Sequence, residues 1–126
     1  MTQSEMNRDA GADASDADAE PMTQYEMNRG AGADASDADA ELNRVYQQLL
    51  STMKSDANAA KKLRAAQRAW IAFRDAQLEA LYPAEDKRVE YGSMYPMCSA
   101  RVVAAMTEER TAQLRKMLNE DPCENP

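Results

Sequence analysis

Lys62-Leu63-Arg64-Ala65-Ala66-Gln67-Arg68-Ala69-Trp70-Ile71-Ala72-Phe73-Arg74-Asp75-Ala76 holds the only Trp and the only Phe of the chain. It reads as helix without a break. Leu63, Ala66, Trp70, Phe73 and Gln77 follow one another at spacings of three and four, so they share one helical face. Arg64, Arg68 and Asp75 fall largely on the other side. Two aromatic rings on one face bury about 150–250 Å² each, more than any other pair of side chains available here. The Trp70/Phe73 face is therefore expected to pack into the core rather than to hold a ligand. The other elements are expected to fold against this helix.

Working outward, 126 residues make one domain with a single modest core. Gly is scarce, Ala and Met are plentiful, and β-branched residues are few, which favours helix over sheet. The formal net charge of −7 is unevenly placed. Residues 1–42 hold eleven acids against Arg8 and Arg29, a net of −9, whereas residues 43–126 carry a net of +2. Such an N-terminal third repels nucleic acid and suits a cationic partner. No apolar run approaches the ~20 residues of a membrane span. No charged and then apolar leader opens the chain, so a signal peptide is expected to be already removed or never present.

The N-terminal third is a duplication. Met1–Glu20 and Met22–Glu41 agree at eighteen of twenty positions and differ only at Ser4/Tyr25 and Asp9/Gly30. Each copy opens with a capping-box pattern, Thr2-x-x-Glu5 and Thr23-x-x-Glu26, which can satisfy orphan donors at a helix start. Pro21 between them is expected to break the helix. Copy one has no large apolar side chains beyond Met1 and Met6 and is expected to be a marginal helix or a disordered arm, residues 1–21. It resembles the start of the first helix, so it is a candidate to compete for that helix's docking site or to swap onto a neighbouring chain as a dimer.

Copy two runs into Leu42, Val45, Tyr46, Leu49, Leu50 and Met53, an apolar stripe, which predicts a first helix from about Thr23 to Met53. Gly30 and Gly32 weaken its first third by about 1 kcal/mol each relative to Ala. Ser55 or Asp56 can cap the second, Trp-bearing helix, which Tyr82-Pro83 ends near Leu81. Residues 83–92 read as a loop closed by Gly92. A third helix is expected to begin near Ser93, with Pro96 in its first turn and Val102, Val103, Met106, Arg110, Leu114 and Met117 along one face. Thr107 either caps a separate fourth helix or sits inside one long helix. The tail after Glu120 is expected to be irregular.

The chain has no His, which removes the commonest general base and the commonest transition-metal ligand. Cys98 therefore has no imidazole to activate it, and Cys123 lies in the tail; both are inert, or paired with each other, rather than nucleophilic. Pairing them needs a chain reversal, because a continuous helix rises about 1.5 Å per residue and carries them too far apart. No Gly-rich phosphate loop is present. No enzyme activity, cofactor or metal is expected. Asp34, Asp37, Asp39 and Glu41 look superficially like a calcium loop but lack its Gly and its spaced terminal Glu. On a helix, Asp34, Asp37 and Glu41 form one acidic stripe, and Glu41 reaches Arg44. The stripe is read first as a solvated face, with steering of a basic partner as the functional alternative. Tyr91-Gly92-Ser93-Met94-Tyr95-Pro96-Met97 mixes Tyr and Met as contact surfaces do, against the simpler reading that it closes one end of the core.

Several blocks of the chain, in order, resemble one family. They are Met22-Thr23-Gln24-x-Glu26-Met27-Asn28, Ala38-Asp39-Ala40-Glu41-Leu42-Asn43-x-Val45-Tyr46-Gln47-Gln48-Leu49, and Leu63-Arg64-x-Ala66-Gln67-Arg68-Ala69-Trp70-Ile71-x-Phe73-Arg74-Asp75-Ala76. Gly92-Ser93-Met94-Tyr95-Pro96-Met97 and Leu114 with Thr107-Glu108-Glu109-Arg110-Thr111 before it complete the set. Over residues 22–118 the chain resembles the N-terminal domain of the LprI-type lysozyme inhibitor family, and the third block is the most specific. The resemblance implies a small helical domain, usually exported in bacteria, with lysozyme inhibition known for some members. The family pattern usually has cysteines where this chain has Gly30, Leu78 and Val102. Losing that set fits a chain that does not depend on an oxidising compartment.

These readings combine into an all-α bundle of three or four helices, with the Trp-bearing helix 57–81 central and helices 23–53 and 93–119 packed along it. The expected domains are the acidic arm 1–21, the helical domain 22–120 and the tail 121–126. The leading function is a non-enzymatic protein that binds a protein partner, a cationic lysozyme-type enzyme, through Asp37, Glu41, Tyr91, Ser93, Met94 and Tyr95. By resemblance its place is periplasmic or secreted. The alternative is a structural or regulatory interaction module in the cytoplasm that kept the fold without the inhibitor role.

Overall fold

The structure is a computed structural model that describes residues 22–121 together with Cys123 and Glu124. The copy-one capping box, the break at Pro21, the arm 1–21 and the tail prolines Pro122 and Pro126 lie outside the described residues. Among the described residues four helices follow in order: α1 Gln24–Ser51, α2 Ala57–Leu81, α3 Lys87–Tyr91 and α4 Tyr95–Asn119. A 3-10 turn, Gly92–Met94, joins α3 to α4. The all-α expectation holds.

Each helix start has a chemical cause. Thr23 Oγ1 accepts from Glu26 N at 3.1 Å, while Thr23 N donates to Glu26 Oε1 at 2.8 Å, so the predicted capping box closes α1. Thr23→Ala is expected to lower stability by about 1 kcal/mol in a urea titration, with fraying confined to the first turn of α1. At α2 the choice between Ser55 and Asp56 falls to Asp56, whose carboxylate accepts from Ala59 N at 3.0 Å. Residues 83–92, expected as loop, contain α3. Asp86 caps it by accepting from Val89 N at 3.2 Å, and Gly92 ends it at φ 78°, a left-handed value that favours glycine. Pro96 sits in the first turn of α4, where a missing N–H leaves no bond unmade. Thr107 lies inside α4, which runs unbroken from Tyr95 to Asn119.

Long-range bonds fix the directions of the helices. Gln24 Nε2 meets Met97 Sδ at 3.8 Å near the start of α4, and Glu41 pairs with Arg115 near its end. α1 and α4 therefore run parallel. Gln67 faces Arg110 and Tyr82 meets Tyr95, so α2 runs back antiparallel to both. The result is an up-down-up bundle.

The core cluster is Leu42, Val45, Leu49, Leu63 and Leu114, with Tyr46, Leu50, Met53, Trp70 and Leu118 packed against it. α1 and α4 make the broadest contact of the molecule. The Trp-bearing helix, expected at the centre, flanks that pair instead. Its buried residues, Ala60, Leu63 and Gln67, all lie in its first half. Trp70 is half-buried under the Arg74 guanidinium, 5.5 Å from the ring centroid. Phe73, expected in the core, is 56% exposed, and Ala66 is exposed as well. The seam passes instead through Gln67, whose Oε1 accepts from Arg110 Nε at 3.0 Å, and the aromatic arc lies to one side of it. Burial pushes the Arg110 pKa down.

α4 differs from expectation in the same way. Thr107 and Thr111 are buried beside Met97 and Leu114, and Met117 is exposed. The Thr111 hydroxyl donates to Thr107 O at 2.9 Å. Small β-branched residues at these positions let α1 and α4 approach closely, with Ala31 and Ala38 buried on the facing side. Cys98 and Cys123 are free thiols, not a bridge.

Candidate functional site

Two regions hold the residues that the sequence singled out. The first is a groove of about 520 Å³ between α1 and α4. Its floor is small: Ala31 and Ala38 from α1, Ala104 and Ala105 from α4. Its walls are charged. Asp34, Asp37 and Glu41 rise from α1, and Arg101, Glu108 and Arg115 from α4. No residue of α2 lines it, so it opens on the face away from that helix. The acidic stripe forms because 34, 37, 38 and 41 recur at helical spacing, with Ala38 turned inward and the carboxylates outward. Asp37 and Glu41, both expected, sit here.

Glu41 is the best-anchored member. Arg44 donates to it twice, Nε to Oε1 at 2.9 Å and Nη2 to Oε2 at 2.6 Å, and Arg115 Nη2 reaches Oε2 from α4. The hydrogen bond from Arg44, with the positive charges of Arg44 and Arg115, holds the Glu41 carboxyl below its ordinary value of 4.5. Arg44 is raised by the same bond. A depressed carboxylate pKa contributes stability above the unfolded value and loses it as pH falls through the folded one. Stability of the chain is thus expected to fall more steeply below about pH 4.5 than that of Glu41→Gln, in denaturant titrations from pH 7 to 3.

The second region is the end of the bundle where α1 and α4 begin. Tyr82, Tyr91 and Tyr95 form one cluster. Tyr82 meets each of the others edge-on at 5.3 Å, and Tyr91 stacks on Tyr95 at 5.9 Å. The Tyr91 hydroxyl accepts from Ala84 N at 3.0 Å. Lys87 Nζ, donating to Tyr82 O and Ala84 O at 2.8 Å each, ties the α2–α3 loop beneath. Tyr91 and Tyr95 are half-buried and close this end of the bundle, whereas Ser93 and Met94 are exposed. Asn28 Nδ2 donates to Ser93 O at 3.0 Å and fixes the turn on α1.

The two regions share one seam. From Asn28 to Glu41 is thirteen residues along α1, about 20 Å. The structure thus brings Asp37 and Glu41 together near the middle of the α1–α4 contact and Tyr91 and Tyr95 together at the end where both helices begin. Sequence reasoning missed Arg101, Glu108 and Arg115, which complete the groove. Their spacing of seven was the available signal, since heptad positions fall on one helical face. Among the described residues, no three of His, Cys, Asp and Glu gather closely enough to hold a metal ion, and no helix is long and apolar enough to cross a membrane.

An uncharacterised protein of Rhizobium meliloti (strain 1021) is 34% identical over 89 residues, covering 61% of this chain. The chain matches 60% of that relative's own length. No solved structure matches. The sequence profile described as lysozyme inhibitor LprI matches residues 14–114, which take in the tyrosine cluster and all of the groove but Arg115. The chain belongs to the LprI lysozyme inhibitor family.

Proposed function

We propose that the protein is a non-enzymatic inhibitor that binds a cationic, peptidoglycan-cleaving enzyme of the lysozyme type. The observation that carries this reading, beside family membership, is the groove, where Asp34, Asp37, Glu41 and Glu108 outnumber Arg101 and Arg115 even with Arg44 held against Glu41. Opposed potentials on two proteins raise their encounter rate and exclude wrong partners. Asp37 and Glu41 present the charge. Ser93, Met94 and the edges of Tyr91 and Tyr95 supply an uncharged contact about 20 Å away along the seam, a span suited to a contact patch of standard size. Export to the periplasm or beyond follows from this reading, because the substrate wall and its lysozyme lie there.

The test is lysis of bacterial cell walls by goose-, chicken- and invertebrate-type lysozymes, with and without the purified chain, at low and moderate salt. Inhibition of at least one class that weakens as salt rises is expected, since salt screens exposed charges within about 10 Å at 0.1 M. Full activity of all three classes at micromolar excess rules the reading out. A second reading, a structural or regulatory module in a reducing compartment, is favoured by the two free thiols. It predicts recovery of a partner other than lysozyme.

A further inference from the structure

Copy two of the duplication is the segment that α1 lays on α4. Gln24 and Asn28 bond to α4 and its leading turn, Ala31 and Ala38 are buried, and Glu41 pairs with Arg115. Copy one repeats every one of these residues at the same offset, as Gln3, Asn7, Ala10, Ala17 and Glu20. It also repeats the capping box, as Thr2 and Glu5.

The two differences between the copies fall where docking does not register them. Tyr25, which is Ser4 in copy one, is 68% exposed. Gly30, which is Asp9, is exposed and helical, and a Cβ built there meets nothing within 4 Å. A side chain at that position fits without strain. The duplicated segment thus varies at two exposed positions and keeps the whole contact face.

We propose that the α4 face occupied by copy two is a docking surface for either copy, and that its second occupant is residues 2–20 of the same chain. In the exchanged arrangement Asp13, Asp16 and Glu20 stand where Asp34, Asp37 and Glu41 stand now, and residues 21–41 loop out. Loop closure of this length costs little more than that of a loop half as long. Copy two is the resting occupant because α1 continues from it without a break into Leu42, Val45 and Leu49. Copy one has no such continuation, since Pro21 follows it.

The experiment is a rescue cycle in the full chain. Ala31→Asp with Ala38→Asp puts two carboxylates into the contact and disables copy two. Ala10→Asp with Ala17→Asp disables copy one. The copy-one pair alone is expected to leave the thermal midpoint unchanged, and the copy-two pair to lower it while keeping a cooperative transition. All four together are expected to lower it further. A quadruple variant that melts with the copy-two pair overturns the proposal. Solution mass assigns the occupant: a single chain is expected, and a dimer overturns the intramolecular form.

A second measurement avoids destabilised variants. In a Cys98→Ser, Cys123→Ser background, Asn7→Cys with Ser93→Cys is treated with a short bis-thiol reagent, with Asn28→Cys plus Ser93→Cys as reference. Cross-linking about tenfold faster than for the adjacent Arg8→Cys plus Ser93→Cys is expected, because docking raises the effective concentration of one face only. Equal rates for Asn7 and Arg8 overturn the proposal.

Discussion

Replacing Leu114 with Ala is expected to destabilise the fold by about 3 kcal/mol, the middle of the range for truncating a fully buried leucine. Leu114 is 0% exposed and belongs to the cluster that joins Leu42, Val45 and Leu49 of α1 to Leu63 of α2. Its removal therefore leaves a cavity in the cluster where all three long helices meet. A small domain has about 5–15 kcal/mol in total, so the loss is a large fraction of it. Urea titration should show a lowered midpoint with an unchanged slope. Val89→Ala is the control: at 80% exposed on α3, it should shift stability by no more than about 0.5 kcal/mol.

If the proposed inhibitor role is right, converting Asp34 and Asp37 to Lys is expected to weaken lysozyme inhibition by about 10- to 100-fold at low salt, with most of the loss in the association rate. Both residues are exposed on the groove wall and lie outside the core cluster, so the fold should melt as before. The substitution changes the local charge by four units on the surface proposed to meet a cationic partner. The gap between variant and parent should narrow as salt rises, because screening removes from the parent what the variant has already lost. Inhibition curves at two ionic strengths, paired with thermal melts, check it. An unchanged curve at low salt would place the contact elsewhere on the chain.

Local chemistry was the legible part of this fold. Thr23 with Glu26, Asp56, Pro96 and the stripe Leu42-Val45-Leu49 each act through neighbours within one or two turns, and each appears where its spacing puts it. Asp86 is an N-cap of the same local kind, but residues 83–92 read as loop and α3 is missed. Orientation around a helix axis was harder. On α2, Leu63 and Trp70 fit two arcs, one completed by Ala66 and Phe73 and the other by Gln67 and Arg74. Hydropathy favours the first. The second is the one that packs, with Gln67 buried and accepting from Arg110 across forty-three residues. The groove was half legible for the same reason. The acidic stripe of α1 is visible in one helix, whereas its partners Arg101, Glu108 and Arg115 acquire meaning only once α4 lies beside it.

The parallel course of α1 and α4 has a kinetic consequence. Helices joined by a short turn zip together from that turn, through contacts close in sequence. Here the largest contact in the molecule links residues 65 to 74 positions apart, as the bonds Asn28–Ser93 and Glu41–Arg115 mark. For these helices to meet, the chain between them must close a loop that includes all of α2. The loop-closure entropy of most of the domain is spent before its main contact forms. By contact order the protein should fold with the pace of a mixed α/β domain, in milliseconds or longer, rather than with the microsecond pace of a helical hairpin.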